Sequence, residues 1–290
     1  MSGKLRAALD RGEFVVTGEV APPHGTDYSG MLESVRALGP YCHALNVTDN
    51  QGATLHLSSL AASRKILDEG VDPIFQQTCR DRNRLALQSD LLAAWTLGVE
   101  NVLIVTGDDP RGGDHPETKG VFDLDSTQLL KVASGLNEGV DMTGAPLSGA
   151  TGLMLGAAMF PEAEPWEIQL GRTVSKIEAG AEFFQTQAVM DIAKFARAAE
   201  DLEPYGVKLI AGILLLKSSR VIDFINQRLA GLMVPDEISA RIKGAADPLA
   251  EATKLAIEQV RELRDIAHGV HIMPLGADDT VAEILEGAGL

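Results

Sequence analysis

Length, composition and charge set the first limits on this chain. It has 290 residues, of which 45% are hydrophobic, with 29 glycines and 13 prolines, and this is enough apolar material for one large core. The 41 acidic and 25 basic residues give a formal charge of −16, and no segment gathers lysines and arginines into the stripe that a phosphate backbone requires. We therefore exclude nucleic acid as a partner.

Targeting signals, cysteines and metal-ligand patterns narrow the class further. The N-terminus is broken by charges before an apolar run develops, and no stretch reaches the ~20 apolar residues of a membrane span. Cys42 and Cys79 lack the paired spacing of a zinc site, and the six histidines are scattered without ligand spacing. We predict a cytoplasmic protein with no membrane association and no bound metal.

Short β-rich runs alternate with longer amphipathic stretches along the chain. Such alternation is typical of parallel βα units, in which each strand is followed by a helix. The eight predicted strands lie at 14–20, 43–49, 73–79, 101–108, 153–159, 182–189, 208–216 and 269–276.

Helical periodicity fills the intervals between these strands. The predicted helices span 28–38, 57–69, 82–97, 125–136, 165–179, 190–203, 218–230, 248–267 and 278–288, with an additional short helix within 231–247. Asp81 and Ser218 suit N-cap positions. Gly98 and Gly180 suit the left-handed residue that often follows a helix.

The strand count decides between two α/β architectures. Eight parallel strands with intervening helices close a barrel of about 250 residues, whereas an open doubly wound sheet usually has fewer strands. We therefore predict an α/β protein, a (β/α)8 TIM barrel with an N-terminal helix and a C-terminal helix. One domain over 1–290 accounts for the whole chain.

Polar residues that end otherwise apolar strands are the candidates for chemistry, since a barrel builds its active site at the carboxyl ends of its strands. Glu19 ends the first strand among apolar residues, where desolvation favours the protonated carboxyl and suits it to donate a proton. Asp108 follows Gly107 at the end of the fourth strand, and this glycine lets the backbone approach a ligand closely. From the residues alone, a purely structural role is equally supported for Glu19 and slightly favoured for Asp108.

Two glutamines flank Thr186 in the sixth strand. Gln185 and Gln187 are expected to face the same side of that strand, inside the barrel. Amides at the mouth suit hydrogen bonding to a polar heterocycle, although bonding to neighbouring strands explains them equally well. The glycine-rich segment 106–116 lacks the spaced glycines of a dinucleotide fingerprint and the Gly-Lys-Ser/Thr of a P-loop.

An ordered set of motifs resembles the methylenetetrahydrofolate reductase family over nearly the whole chain. In chain order the motifs are TGEVAPP, NVTDNQGA, QQTC, TGDDP, AAMFPE, KIEAGAEFFQTQ and AGIL. The resemblance implies a divergent member of a (β/α)8 enzyme family that binds FAD at the barrel mouth. Such enzymes take hydride from NAD(P)H and pass it from the flavin to 5,10-methylenetetrahydrofolate, giving 5-methyltetrahydrofolate.

The resemblance also assigns roles by position. Glu19 matches the family's acid, which assists opening of the folate ring to a reactive iminium, and Asp108 matches the aspartate beside the flavin and pterin. Gln187 matches the glutamine that contacts folate and nicotinamide. The positions that match flavin contacts are Thr48, Gly107 and Lys176.

Five positions depart from the family's pattern. The usual histidine of the third strand is Gln76, the arginine before Gly-Asp is Thr106, the tyrosine before Pro-Glu is Phe160, the following histidine is Glu164, and the aromatic residue after the seventh strand is Ser219. We keep Gln76, Thr106 and Phe160 as candidate cofactor contacts and Ser219 as a candidate substrate contact. The lost cation and the gained Glu164 weaken binding of an anionic dinucleotide. The resemblance therefore supports folate chemistry more strongly than FAD, and FMN or hydride transfer without flavin stays open.

Three functions compete. The first is reduction of methylenetetrahydrofolate through a flavin, with Glu19 as general acid. The second is a tetrahydrofolate-dependent methyltransferase, which needs a pterin pocket with carboxylates but no flavin. The third is a non-catalytic barrel, against which the retention of both Glu19 and Asp108 argues. We predict the reductase, acting on a folate substrate as a homo-oligomer, with electrons from NAD(P)H or from a partner subunit.

Overall fold

The strands form one closed parallel barrel in a computed structural model that describes residues 3–228 and 232–290. Each strand pairs with the next along the chain, and β8 pairs with β1. The eight strands are β1 (Val15–Val20), β2 (Ala44–Val47), β3 (Pro73–Thr78), β4 (Asn101–Val105), β5 (Met154–Met159), β6 (Phe183–Ala188), β7 (Lys208–Leu214) and β8 (Gly269–Met273). The predicted (β/α)8 barrel is confirmed.

Helices surround and cap the barrel. Within the described residues they are α1 (Lys4–Asp10), α2 (Ser29–Leu38), α3 (Ser59–Asp68), α4 (Arg84–Thr96), α5 (Ser126–Asn137), α6 (Trp166–Glu178), α7 (Ile192–Leu202), α8 (Ser219–Arg228), α9 (Asp236–Gly244), α10 (Pro248–Leu263) and α11 (Thr280–Ala288). The predicted additional helix is α9, and the predicted terminal helices are α1 and α11. None of the helices in these ranges is long and apolar enough to cross a membrane.

The N-cap predicted at Asp81 is wrong. Helix α4 begins after Asn83, whose side chain accepts hydrogen bonds from two backbone N–H groups of the first turn. Asp81 instead accepts two hydrogen bonds of 2.8 Å from the guanidinium of Arg80. A charged, bidentate partner one residue away outweighs the capping preference.

The N-cap predicted at Ser218 and the glycines predicted after two helices are confirmed, whereas the helix end predicted at 230 lies outside the described residues. The hydroxyl of Ser218 accepts a hydrogen bond from Val221 N at 3.3 Å, at the start of α8. Gly98 and Gly180 follow helices with φ of +86° and +108°, a region that residues with a Cβ rarely adopt.

The barrel interior is divided into an apolar floor and a polar upper part. The buried floor residues come from α1 and from seven strands, β1 to β7: Leu5, Ala8, Leu9, Val15, Ala44, Ile74, Leu103, Met154, Phe183 and Ile210. Because residues two apart on a strand share a face, Thr17 and Glu19 continue the inner row that begins at Val15. Helix α1 thus closes the bottom of the barrel, and the polar side chains lie toward the mouth.

Candidate active site

Glu19 lies near the carboxyl end of β1, on its inner face. Its side chain is 17% exposed, and Oε2 lies 3.7 Å from Nε2 of His271 on the neighbouring strand β8. His271 is itself buried. The sequence interpretation missed His271 because a single histidine in an apolar strand shows no ligand or catalytic spacing.

A chain of hydrogen bonds continues from His271 through the interior of the barrel. Its Nδ1 lies 3.0 Å from Thr17 Oγ1, and Gln185 Nε2 donates to the same hydroxyl at 3.2 Å. Gln185 and Asn46 exchange two amide hydrogen bonds of 2.6 and 3.0 Å. Four buried side chains from four strands therefore satisfy one another beneath Glu19, which avoids the cost of about 1–3 kcal/mol for each buried unpaired polar group.

Gln185 and Gln187 lie in different surroundings, although simple alternation predicts one shared face. The pairing of β6 with β7 shifts register between Gln185 and Ala188, and Gly212 N donates to Thr186 Oγ1 at 3.0 Å within this irregularity. Gln185 is buried, whereas Gln187 is exposed. The strand pairing is thus irregular where the two glutamines lie, and the local sequence pattern gives no signal for this irregularity.

Asp108 lies on the loop after β4, at the exposed rim of the mouth. Its Oδ2 accepts a hydrogen bond from Gly52 N at 3.1 Å. Gly52 has a φ of +63° and belongs to a short turn after β2. This bond joins the loops after β2 and β4, while Asp108 Oδ1 accepts no hydrogen bond from the described part of the protein.

Gly107, which precedes Asp108, is required by both conformation and packing. Its φ is +93°, and a Cβ at this position would lie 2.9 Å from Arg80 Cβ and 3.2 Å from Thr78 Cβ. Any side chain would therefore push the loop after β4 away from β3. Close packing against protein, in addition to the ligand access expected from the sequence, explains the glycine.

A buried ion pair connects the loops after β2 and β3. Arg82 donates to both oxygens of Asp49, at 2.7 and 3.2 Å, and its Nε lies 2.8 Å from a carboxylate oxygen of Asp90. Asp49 is 1% exposed in its side chain and also accepts two bonds of 2.9 Å from Thr78. Asp49 therefore holds two loops together.

Arg80 is a second buried cation beside this pair, with 2% of its side chain exposed. It donates to Asp81 and, at 3.1 Å, to the carbonyl of Asn50. Burial acts to lower the pKa of Arg80, but the hydrogen bond to Asp81 and the charges of Asp81, Asp49 and Asp108 outweigh it and raise the pKa. Arg80 is thus a permanent positive charge among the carboxylates of Asp49, Asp81 and Asp108.

The candidate cofactor contacts are spread over the mouth from β2 to α6. Thr48 is buried, Gln76, Phe160 and Lys176 are half-buried, and Thr106 is exposed. Lys176 Nζ donates to the carbonyl of Ala158 at 2.7 Å. Burial lowers the pKa of this amine, and the charge of Asp125 only partly opposes that effect. Lys176 is therefore a weaker anchor for a phosphate than an exposed lysine.

Glu164 is less repulsive toward an anion than its charge suggests. Its Oε1 lies 3.6 Å from Lys194 Nζ and 3.5 Å from Arg197 Nη2, both on α7. The other carboxylate oxygen accepts a hydrogen bond from Trp166 N at 3.1 Å. These partners offset the negative charge, which the sequence interpretation counted as unopposed.

Ser219 is the exposed first residue of α8. One and a half turns further along the same helix, Phe224 is 57% exposed. With Leu214 and Leu275 it lines an apolar pocket of about 270 Å³ on the β7–β8 side of the mouth. An aromatic side chain is thus present on α8 even though the position matched by the resemblance holds a serine.

Metal and thiol chemistry find little support in the described residues. No group of three histidine, cysteine, aspartate or glutamate side chains there is arranged to hold a metal ion. Cys42 and Cys79 are unbridged. Burial raises the pKa of both thiols to about 12, so both stay protonated near neutral pH.

Fold and site together define a class of protein. A parallel (β/α)8 barrel with carboxylates and amides at the carboxyl ends of its strands has the architecture of a barrel enzyme. The family model for methylenetetrahydrofolate reductase matches residues 4–289. The chain therefore belongs to the methylenetetrahydrofolate reductase family.

Individual relatives are distant. A probable methylenetetrahydrofolate reductase (NADPH) of Caenorhabditis elegans is 27% identical over 242 residues, which cover 80% of this chain and 34% of that protein. Methylenetetrahydrofolate reductase (NADH) 1 of Arabidopsis thaliana is 24% identical over 303 residues, which cover 99% of this chain and 50% of that protein. The chain thus spans about a third to a half of the length of these relatives.

A solved structure supports the fold alone. The crystal structure of 2,3-dimethylmalate lyase, a PEP mutase/isocitrate lyase superfamily member, superimposes with a TM-score of 0.55 at 14% identity. The superposition covers 100% of this chain and 90% of that one. At this identity the likeness describes the barrel and carries no information about substrate.

Proposed function

We propose that this chain reduces 5,10-methylenetetrahydrofolate to 5-methyltetrahydrofolate, with a flavin as hydride carrier and NAD(P)H as electron donor. The observation that carries the proposal is Glu19, a largely buried carboxyl at the mouth of a barrel whose residues 4–289 match the family model. The relatives' names specify NADPH in one case and NADH in another.

Glu19 acts as the general acid in this proposal. The methylene group bridges two nitrogens of the folate, and proton transfer to one of them lets its bond to the methylene carbon break. The product is an iminium cation on the other nitrogen, and addition of hydride to its carbon forms the methyl group. A carboxyl held on a strand and shielded on most sides is suited to this proton transfer.

Asp108 stabilises the iminium in this proposal. Its Oδ2 accepts a hydrogen bond from Gly52 N, which holds the carboxylate at the rim. Its Oδ1 is then available to interact with a positive charge on the substrate. A preorganised carboxylate that bound substrate shields from water stabilises a developing cation more than water does. The carboxylate therefore contributes after ring opening, whereas Glu19 contributes during it.

Asp108→Ala should lower kcat/KM for methylenetetrahydrofolate about tenfold to a hundredfold, because a hydrogen-bonded charge facing the cation is worth roughly 1.5–3 kcal/mol. Thermal stability should change little, since Asp108 is exposed. Asp109→Ala is the matched control, because Asp109 is also exposed and pairs with Arg111. Equal kinetics for the two variants would show that Asp108 has only a structural role in its turn.

The mouth suits the ring of a flavin better than its phosphates. Thr48, Gly107 and Lys176 are the residues that would hold the cofactor. Lys176 is the one cation among the candidate contacts, and burial lowers its pKa. A bound flavin would accept hydride from the nicotinamide and deliver it to the iminium. We infer that its phosphate end is held weakly.

An absorbance spectrum of the purified protein tests the proposal. We expect a flavin spectrum that bleaches on addition of NADH or NADPH and is restored by methylenetetrahydrofolate. A colourless protein that oxidises the nicotinamide only when methylenetetrahydrofolate is present would contradict the flavin as carrier and support direct reduction of the folate by the nicotinamide. A colourless protein that binds folate without oxidising nicotinamide would favour the methyltransferase.

A further inference from the structure

The buried polar side chains below Glu19 form a relay that ends at its carboxylate. We propose that Asn46, Gln185 and Thr17 fix His271 as a neutral imidazole with its proton on Nε2, directed at Glu19. His271 is then a positioning residue, which orients the carboxylate of Glu19 and stabilises it after proton transfer. The inference rests on the proposed role of Glu19 as general acid.

The amide pair sets the direction of the relay. Asn46 Nδ2 donates to Gln185 Oε1 at 2.6 Å, so this oxygen is occupied. The two protons of Gln185 Nε2 are then directed to Asn46 Oδ1 and to Thr17 Oγ1, at 3.0 and 3.2 Å. The Thr17 hydroxyl therefore accepts from Gln185 and has its own single proton left to donate.

Distance decides where that proton goes. Thr17 Oγ1 lies 3.0 Å from His271 Nδ1 and 3.5 Å from the carbonyl of Val270. Hydroxyl hydrogen bonds rarely exceed about 3.0 Å, so the imidazole nitrogen is the better acceptor. If Nδ1 accepts, the neutral ring carries its proton on Nε2, which is the nitrogen that faces Glu19.

The position of Nε2 gives this proton a function. Nε2 and Glu19 Oε2 are 3.7 Å apart, which is close enough for attraction and slightly long for a hydrogen bond. When Glu19 has lost its proton to the folate, the new negative charge faces an N–H in a site from which most water is excluded. This interaction favours the state after proton transfer, so it should affect kcat more than KM.

Nitrogen-15 NMR of histidine side chains tests the tautomer directly. His43 and His268 supply internal references, because Val16 N and Leu209 N each donate to their Nδ1 at 3.1 Å, which places the ring proton on Nε2. We expect the His271 signals to match this pattern. An Nδ1-protonated or doubly protonated ring at neutral pH would overturn the proposal.

Variants of Thr17 show whether the relay sets the tautomer. Thr17→Val removes the hydroxyl with little change in volume, and we expect the His271 signals to move toward a mixture of tautomers. Thr17→Ser keeps the hydroxyl and should keep the Nε2–H pattern. Signals of His43 should be unchanged in both variants. A fixed Nε2–H pattern in Thr17→Val would show that the relay is not responsible.

Variants of His271 separate positioning from folding. His271→Asn retains a polar group near Thr17 but cannot reach Glu19, and we expect kcat for folate reduction to fall about tenfold with KM within about twofold. His271→Gln places an amide near Nε2 and should recover most of this loss. Failure of His271→Gln to exceed His271→Asn would reject the positioning role.

The two hypotheses fail in different ways. Normal folate reduction by Glu19→Gln would show that Glu19 is not the general acid, whichever tautomer His271 adopts. If Glu19→Gln were inactive and His271 carried its proton on Nδ1, the proposed orientation of His271 would be wrong, but the role of Glu19 as general acid would stand.

Discussion

Glu19→Gln is expected to lower the rate of methylenetetrahydrofolate reduction by a factor of about 10²–10⁴, because the amide keeps the shape of the side chain but cannot donate the proton that opens the ring. Oxidation of NAD(P)H through the flavin should continue at close to the normal rate. Stopped-flow absorbance of the flavin separates the two half-reactions. The rate of bleaching and the rate of restoration are measured in separate mixing experiments.

Glu13→Gln provides the control for this experiment. Glu13 precedes the same strand at the opposite end of the barrel and pairs with Arg11 at 2.6 Å on the surface. Both half-reactions should be normal in this variant. If Glu19→Gln reduced the folate as fast as Glu13→Gln, the general acid would have to be another residue.

Arg82→Met is expected to lower the free energy of unfolding by about 3–5 kcal/mol, because it leaves the charge of Asp49 buried without its main partner. Asp49 is 1% exposed in its side chain, and two of its hydrogen bonds come from Arg82. Urea unfolding followed by circular dichroism measures the change. The loops after β2 and β3 should be the first to gain amide exchange.

Two further variants distinguish an unpaired charge from lost packing. The double variant Arg82→Met/Asp49→Asn removes both charges and should regain at least half of the lost stability. Arg11→Met breaks a pair that is exposed on both sides, at 59% and 47%, and should leave the unfolding midpoint unchanged. An unfolding midpoint of Arg82→Met as high as that of Arg11→Met would contradict the structural role of the buried pair.

The fold could be predicted because its signals are local. Each strand shows as a short apolar run and each helix as a periodic stretch, and the count of eight selects a barrel over an open sheet. Strand ends were less predictable. Thr106, Gly107 and Asp108 were placed in the fourth strand, but β4 ends at Val105, because the left-handed Gly107 turns the chain away from the barrel wall.

The site could be predicted only where its residues end strands. Glu19 and Asp108 are proposed on this basis. His271 was missed because its partner Thr17 is 254 residues away in the chain, and Asn46 was missed because its partner Gln185 is 139 residues away. The Arg82–Asp49 pair is likewise formed by loops that the sequence does not show to be adjacent. Contacts between strands depend on barrel closure, which no local pattern encodes.

The closed floor of the barrel determines how ligands reach Glu19. Leu5, Ala8 and Leu9 of α1 pack beneath Phe183 and its neighbours, so the described residues leave no lower exit from the interior. In the proposed reaction, the hydride donor and the hydride acceptor therefore reach Glu19 through the same opening. Because a ligand bound at this single entrance blocks the next one, binding and release at the mouth contribute to the kinetics of any two-substrate reaction that the barrel performs.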